Sequence, residues 1–172
     1  MSPVYRAARH AIDGGEVDAV MITMSPFWLN HLGRRLQQQT NVPVWLMGTS
    51  MGTLSATFVT TELPRESGGP DGLVLTSTIL SFPGARAVPG MPLGFIKVPV
   101  LLVHHRQDGC DHCKVAELPQ VMDKLSGAPR KELMLFEGGS VRNPDPCEAF
   151  THHGYLGIES DVVAKIAAWI VR

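Results

Sequence analysis

Short apolar runs rich in β-branched residues alternate along this chain with longer stretches in which apolar positions recur at helical spacing. The runs are Val17–Met24 (VDAVMITM), Val42–Met47 (VPVWLM), Gly72–Leu80 (GLVLTSTIL), Val98–His104 (VPVLLVH) and Glu132–Phe136 (ELMLF). Continuous apolarity without period-two alternation suits strands buried on both faces, as in a parallel sheet. Helical patterns cover Tyr5–Ile12, Trp28–Gln39, Thr53–Leu63, Val115–Leu125 and Glu159–Val171. In the last of these, Ile158, Val162, Val163, Ile166, Trp169 and Ile170 form one apolar stripe. Glu159 and Asp161 stand near its start and Arg172 at its end, the arrangement that a helix dipole favours. Alternation of strand and helix predicts an α/β fold, with a mostly parallel sheet of about five strands flanked by helices. The Pro/Gly-rich stretch Phe82–Pro99 reads as a short surface loop, which predicts an open site rather than a large lid.

Composition narrows this picture. A chain of 172 residues fits a single domain spanning 1–172. The apolar fraction of 44% indicates a globular chain with a sizeable core. A formal net charge of −1 offers no clustered cationic surface for nucleic acid or an anionic membrane. No apolar run approaches the length of a membrane span, and the opening Met1–His10 stretch lacks the apolar region of a signal peptide. Association with further copies of the chain is left open.

The chemistry concentrates at Gly48-Thr49-Ser50-Met51-Gly52, between the second strand and the helix after it. This is G-x-S-x-G in the strand–turn–helix setting that gives the motif meaning. The serine of such a turn adopts a strained backbone, so the positions two away on either side must be small. Ser50 would then sit at a helix N-terminus, where free N–H groups favour the charge that develops in acyl transfer. The Met51 N–H is the expected oxyanion donor. The competing reading is a Gly/Ser turn in which Ser50 merely caps the helix.

At the end of the fourth strand, His104-His105-Arg106-Gln107-Asp108-Gly109 places a carboxylate on the edge where parallel sheets bind ligands. Asp108 can orient a histidine and stabilise its imidazolium. An ordinary Asp-Gly turn is the alternative, and Asp111 and Asp145 compete for the role. After the fifth strand comes His152-His153-Gly154, then the terminal helix. His153 is the expected general base, with His152 as the alternative base. His104 and His105 are expected to shape the site. The chain order Ser, Asp, His is the one associated with the elbow motif.

These residues resemble the α/β-hydrolase superfamily, and the likeness runs from about Tyr5 to the C-terminus. It rests on the Val44–Gly52 elbow, on the Pro99–His105 strand leading to Asp108, and on His153-Gly154-Tyr155-Leu156-Gly157-Ile158-Glu159. The resemblance implies a serine hydrolase that cleaves an ester, amide or similar acyl bond of a small molecule. It implies an acyl-enzyme on Ser50, with Asp108 and His153 completing the triad and no metal or organic cofactor. One departure stands out. The complete fold has eight strands with the elbow after the fifth, yet only Val17–Met24 precedes the elbow strand here. It matches the fourth strand of the family. The expectation is a truncated fold, from an incomplete chain or a degenerate relative, lacking the loop that supplies the second oxyanion N–H. Loss of one such donor costs about 2.7–4 kcal/mol, which bears directly on activity.

The chain has three cysteines, Cys110, Cys113 and Cys147. If the acid loop and the histidine loop meet, a disulfide from Cys110 to Cys147 would tie them, worth about 3–5 kcal/mol in the chain-entropy model. It would point to a periplasmic or secreted protein, and its absence to a cytoplasmic one. Cys110, His112 and Cys113, with His104 or His105, also have the residue types of a zinc site, although a lone C-x-x-C lacks a second paired half. A thioredoxin-like role fits poorly, because the motif does not open a helix as expected. Three classes therefore stay open: a hydrolase, a catalytically degenerate binding or interaction protein, and a Cys/His metal-binding protein.

Overall fold

The computed structural model describes residues 18–21, 43–63, 69–83 and 87–172, the first of these stretches in backbone only. The helical patterns at Tyr5–Ile12 and Trp28–Gln39, and any strand before Val17, lie outside the described residues.

Five strands make one sheet in sequential order, and every neighbouring pair is parallel. They are β1 (Asp18–Met21), β2 (Val44–Thr49), β3 (Gly72–Thr76), β4 (Val100–His105) and β5 (Lys131–Phe136). Among the described residues three α-helices accompany them: α1 (Gly52–Glu62), α2 (Leu118–Lys124) and α3 (Glu159–Ile170). β1 pairs directly with β2, Asp18 opposite Val44 and Met21 opposite Met47. The position beside the elbow strand is thus filled by β1.

The apolar runs divide their side chains between two cores, as the period of two requires. Leu46, Leu73, Leu75, Val100 and Leu102 face one layer, built from Ala56 and Val59 of α1 and from Leu118, Val121 and Leu125. Trp45, Met47, Val74, Leu101, Val103 and Phe136 face the other, against Tyr155 and against Val162, Ile166 and Trp169 of α3. Three of the apolar-stripe residues on α3 are therefore its buried face. Trp169 is fixed further by its Nε1–H donating to Glu132 at 2.8 Å and by Arg130 stacked 3.9 Å above the ring.

Two expectations need correction. The third apolar run does not continue as a strand to Leu80: β3 ends at Thr76, because Ser77 takes φ 46° and turns the chain out of register. Nor is the described part of Phe82–Pro99 a surface loop. Its short turns at Val88–Gly90 and Leu93–Phe95 carry Val88, Leu93 and Ile96, all essentially inaccessible to solvent, into the core beside α1 and α2. Proline and glycine density reported the turns correctly, but the apolar residues between them set the burial.

Candidate functional site

In a sheet whose strands are all parallel, every strand ends on the same edge, and the chemistry-bearing residues gather there. Ser50 follows β2 with φ 52°, in the left-handed region that non-glycine residues rarely adopt. The turn is closed by its own backbone: Ser50 N–H donates to Thr76 O at 3.0 Å, and Thr53 N–H returns to Ser50 O at 2.9 Å. A Cβ at position 48 would come within 2.5 Å of Gly52 O and 2.9 Å of Ala56 Cβ, so only glycine fits. The residue flanking α1 at its N-terminus is Met51, and no side chain caps the helix. Ser50 therefore does not hold its place as a helix cap. Met51 N–H carries no hydrogen bond among the described residues.

Asp108 lies three residues beyond β4, and its side chain is wholly buried. One carboxylate oxygen accepts from Cys110 N–H at 3.0 Å. The other pairs with His153 Nδ1 at 2.9 Å, with the His153 side chain only 4% exposed. Nothing comparable engages the competing carboxylates: Asp111 is exposed and faces Lys114, and Asp145 accepts from Cys147 N–H. His153 is held from several sides. Its N–H donates to Thr151 Oγ1 at 3.1 Å, and its carbonyl accepts from Ser77 Oγ at 2.7 Å. The residue after it must be glycine, since a Cβ on Gly154 would overlap Ala149 O. Tyr155, at φ 59°, donates its hydroxyl to Val103 O at 2.8 Å.

Ser50 and His153 are thus docked onto consecutive residues at the end of β3. The Ser50 amide bonds Thr76, and the His153 carbonyl is bonded by Ser77. His153 Nε2 is buried and has no hydrogen-bond partner among the described residues, so no bond to Ser50 Oγ is present.

The other histidines of this edge are occupied elsewhere. His152 stacks on His105 with ring centroids 4.3 Å apart, and its Nδ1 lies 3.2 Å from Gln107 O, so Asp108 does not engage it. His105 Nδ1 accepts from Gln107 N–H, which puts the proton on Nε2, where it donates to Gly138 O at 2.8 Å. Burial is the first cause that lowers its pKa. His104 is deeply buried, and its Nε2 accepts from Thr78 N–H at 2.7 Å. Burial lowers its pKa to about 4, so it is a neutral residue that shapes the floor of the edge.

Cys110 and Cys147 are joined by a disulfide with Cα atoms 4.6 Å apart, tying the Asp108 loop to the His153 loop. That removes Cys110 from the zinc set read from the sequence. His112 also leaves it, bonding Ser81 O at 3.1 Å beside the Phe82 ring. Cys113 is free and buried, with its thiol 3.3 Å from Ser77 O, and burial raises its pKa. Sequence reasoning missed Ser77 and Thr151, which hold His153, and the nearness of Cys113 to that ring. Ser77 carries no local signal that it will bond a carbonyl 76 residues away, whereas Thr151 is a local cap two residues before His153.

No protein-family model and no curated protein sequence matches this chain. Solved structures do. The esterase domain of a Rhodothermus marinus protein superposes with a TM-score of 0.57 at 15% identity, over 84% of this chain and 67% of that one. An acetyl ester-xyloside bifunctional hydrolase from Caldicellulosiruptor lactoaceticus gives 0.55 at 17% identity, over 98% and 65%. The esterase PE8 gives 0.52 at 20% identity, over 98% and 64%. The fold is that of the α/β-hydrolases. This chain spans 36% of another match, a thermostable esterase, so it corresponds to part of such proteins. No helix among the described residues is long and apolar enough to cross a membrane.

Proposed function

We propose that this chain is a serine hydrolase acting on a small ester, amide or similar acyl compound. Ser50 is the nucleophile, His153 the general base and Asp108 the residue that orients it. The observation that carries this reading is the shared anchorage of Ser50 and His153 on Thr76–Ser77, with His153 backed by the buried Asp108 carboxylate.

In this reading Ser50 Oγ attacks the acyl carbon while His153 Nε2 takes its proton. Asp108 holds the proton on Nδ1, which fixes the tautomer and stabilises the imidazolium that forms. Met51 N–H meets the developing oxyanion. His153 then returns the proton to the leaving group, and water repeats the cycle on the acyl-enzyme. The Ser–His hydrogen bond of a free hydrolase is often long and tightens only with bound substrate, which accommodates the unpartnered Nε2. The esterases and hydrolases among the fold neighbours favour the same chemistry. The disulfide suits a periplasmic or secreted protein.

A fluorophosphonate probe tests the reading. Wild type should be labelled at Ser50, and Ser50→Ala should lose labelling together with about 10⁴-fold or more of any ester turnover. Absence of labelling in a folded wild type, or equal labelling of the variant, would overturn it in favour of a non-catalytic binding protein.

A further inference from the structure

Beside the Asp108–His153 pair lies a second set of donors that the hydrolase chemistry does not use. The sulfurs of Cys110 and Cys113 and a ring nitrogen of His153 all lie within 4.8 Å of one another, and all three residues are buried. Cys147 brings a third sulfur next to that of Cys110, to which it is bonded. Asp108 holds His153 Nδ1, which leaves the buried and unpartnered Nε2 as the free lone pair.

We propose that, once the Cys110–Cys147 disulfide is reduced, Cys110, Cys113, Cys147 and His153 bind one Zn²⁺ as a Cys₃His site. Three thiolates and an imidazole are a donor set of tetrahedral structural zinc. Arms of about 2.0–2.3 Å require donors about 3.5–3.8 Å apart, so donors that lie within 4.8 Å of one another would draw closer as the cation binds. The sulfurs of Cys110 and Cys147 must separate on reduction, and Cys147 is only half-buried, in the segment 141–150. The surroundings also fit. A ligating histidine commonly donates its other ring N–H to a carboxylate, and Asp108 stands in that place at 2.9 Å.

The balance is simple. A phosphine reductant takes the oxygen of one water to become a phosphine oxide, and the S–S bond becomes two thiols. The three thiols then release three protons as one Zn²⁺ binds, with His153 entering neutral. The site itself does not depend on the hydrolase reading. Its consequence does: the cation occupies the lone pair that would accept the Ser50 proton, so the metal-loaded reduced form is an inactive state of that enzyme.

The test uses the full chain, reduced with a phosphine, freed of reductant without air, and titrated with Co²⁺ and then Zn²⁺. One equivalent of Co²⁺ should bind with the intense visible bands and sulfur charge-transfer absorption of a tetrahedral thiolate site, and Zn²⁺ should displace it. Disulfide-intact protein should show no such spectrum. Cys113→Ser and His153→Asn, each checked for folding by circular dichroism while oxidised, should each weaken binding more than 100-fold, beyond the roughly 10–100-fold of an outer-shell change. Two variants keep the test readable if one fails to fold. No thiolate spectrum in the reduced wild type, the same spectrum in oxidised protein, or unchanged affinity in a folded variant would overturn the site. Fluorophosphonate labelling separates the two proposals. Co²⁺ binding without labelling in either redox state leaves the metal site standing and removes the hydrolase. Labelling that Zn²⁺ blocks only after reduction supports both.

Discussion

The two halves of the candidate site are held in place by different means. The Ser50 half is local: Gly48 pressed on Gly52, Ser50 at φ 52° and a backbone bond to the next strand fix the turn within a few residues. The acid–histidine half is assembled from afar. Asp108 and His153 are 45 residues apart, and a disulfide spanning 37 residues, a buried carboxylate–imidazole hydrogen bond and the Ser77 hydroxyl bring them together. Steric exclusion secures the first half, and long-range polar and covalent contacts secure the second. The second should therefore respond far more to charge, redox state and pH.

The largest effect is expected from the Asp108–His153 hydrogen bond. Asp108→Asn keeps an oxygen for Cys110 N–H but cannot hold the same His153 tautomer, and ester turnover should fall about 10⁴-fold. The measurement is the rate of fluorophosphonate labelling alongside hydrolysis of an activated ester. A rate within a few-fold of wild type would show that the polar half is a structural clasp rather than machinery.

Opening the disulfide comes next. In the chain-entropy model a loop of 37 residues contributes about 4 kcal/mol, so Cys110→Ser with Cys147→Ser should lose about that much in urea unfolding. Limited proteolysis should then cut within 141–150 while the β2–α1 elbow stays protected. Equal loosening of both regions would abolish the distinction between them.

The same contrast explains what could be read from the residues alone. Ser50, Asp108 and His153 were all legible as candidates, because each sits on a local signal: a G-x-S-x-G turn, the end of an apolar strand, or a histidine before a helix. The Cys110–Cys147 pairing was legible only on condition that the acid and histidine loops meet. The five strands were legible from uninterrupted apolarity. What stayed hidden depends on tertiary contact. The burial of Val88, Leu93 and Ile96 follows from the space left between α1 and α2, which no window of sequence contains. The choice of His153 over His152 became a geometric matter only when Asp108 met one ring and His105 stacked on the other. The pairing of β1 with β2 is likewise a tertiary fact that the apolar pattern does not encode.

Acid should weaken the polar half through His104. Its pKa is lowered from 6.5 to about 4 by burial, so as pH falls through this window the unfolded chain takes up a proton that the folded chain refuses. The stability attached to this residue is full above pH 6.5 and is lost progressively down to about 4. It amounts to something on the order of 3 kcal/mol. Chemical denaturation between pH 7 and 4 should show this slope, and His104→Gln, which keeps an acceptor for Thr78 N–H, should flatten it. A wild-type slope unchanged by the substitution would move the acid sensitivity to another group.

The elbow offers the smallest loss of stability and the sharpest test of steric control. A methyl group at Gly48 would lie 2.5 Å from Gly52 O and 2.7 Å from Gly52 C, and neither backbone atom can rotate away as a side chain could. Gly48→Ala should therefore cost about 1–3 kcal/mol, the usual range for overpacking, without disturbing the disulfide or the Asp108–His153 pair. Its effect on labelling should be disproportionate, because a nucleophile displaced by about 1 Å can lose about 100-fold in rate. A variant that melts slightly early, keeps the wild-type dependence on pH and reductant, and labels slowly would show that the elbow is set by shape alone. If Gly48→Ala instead altered the pH or redox response, the two halves would be coupled through Thr76 and Ser77, the residues on which both are docked.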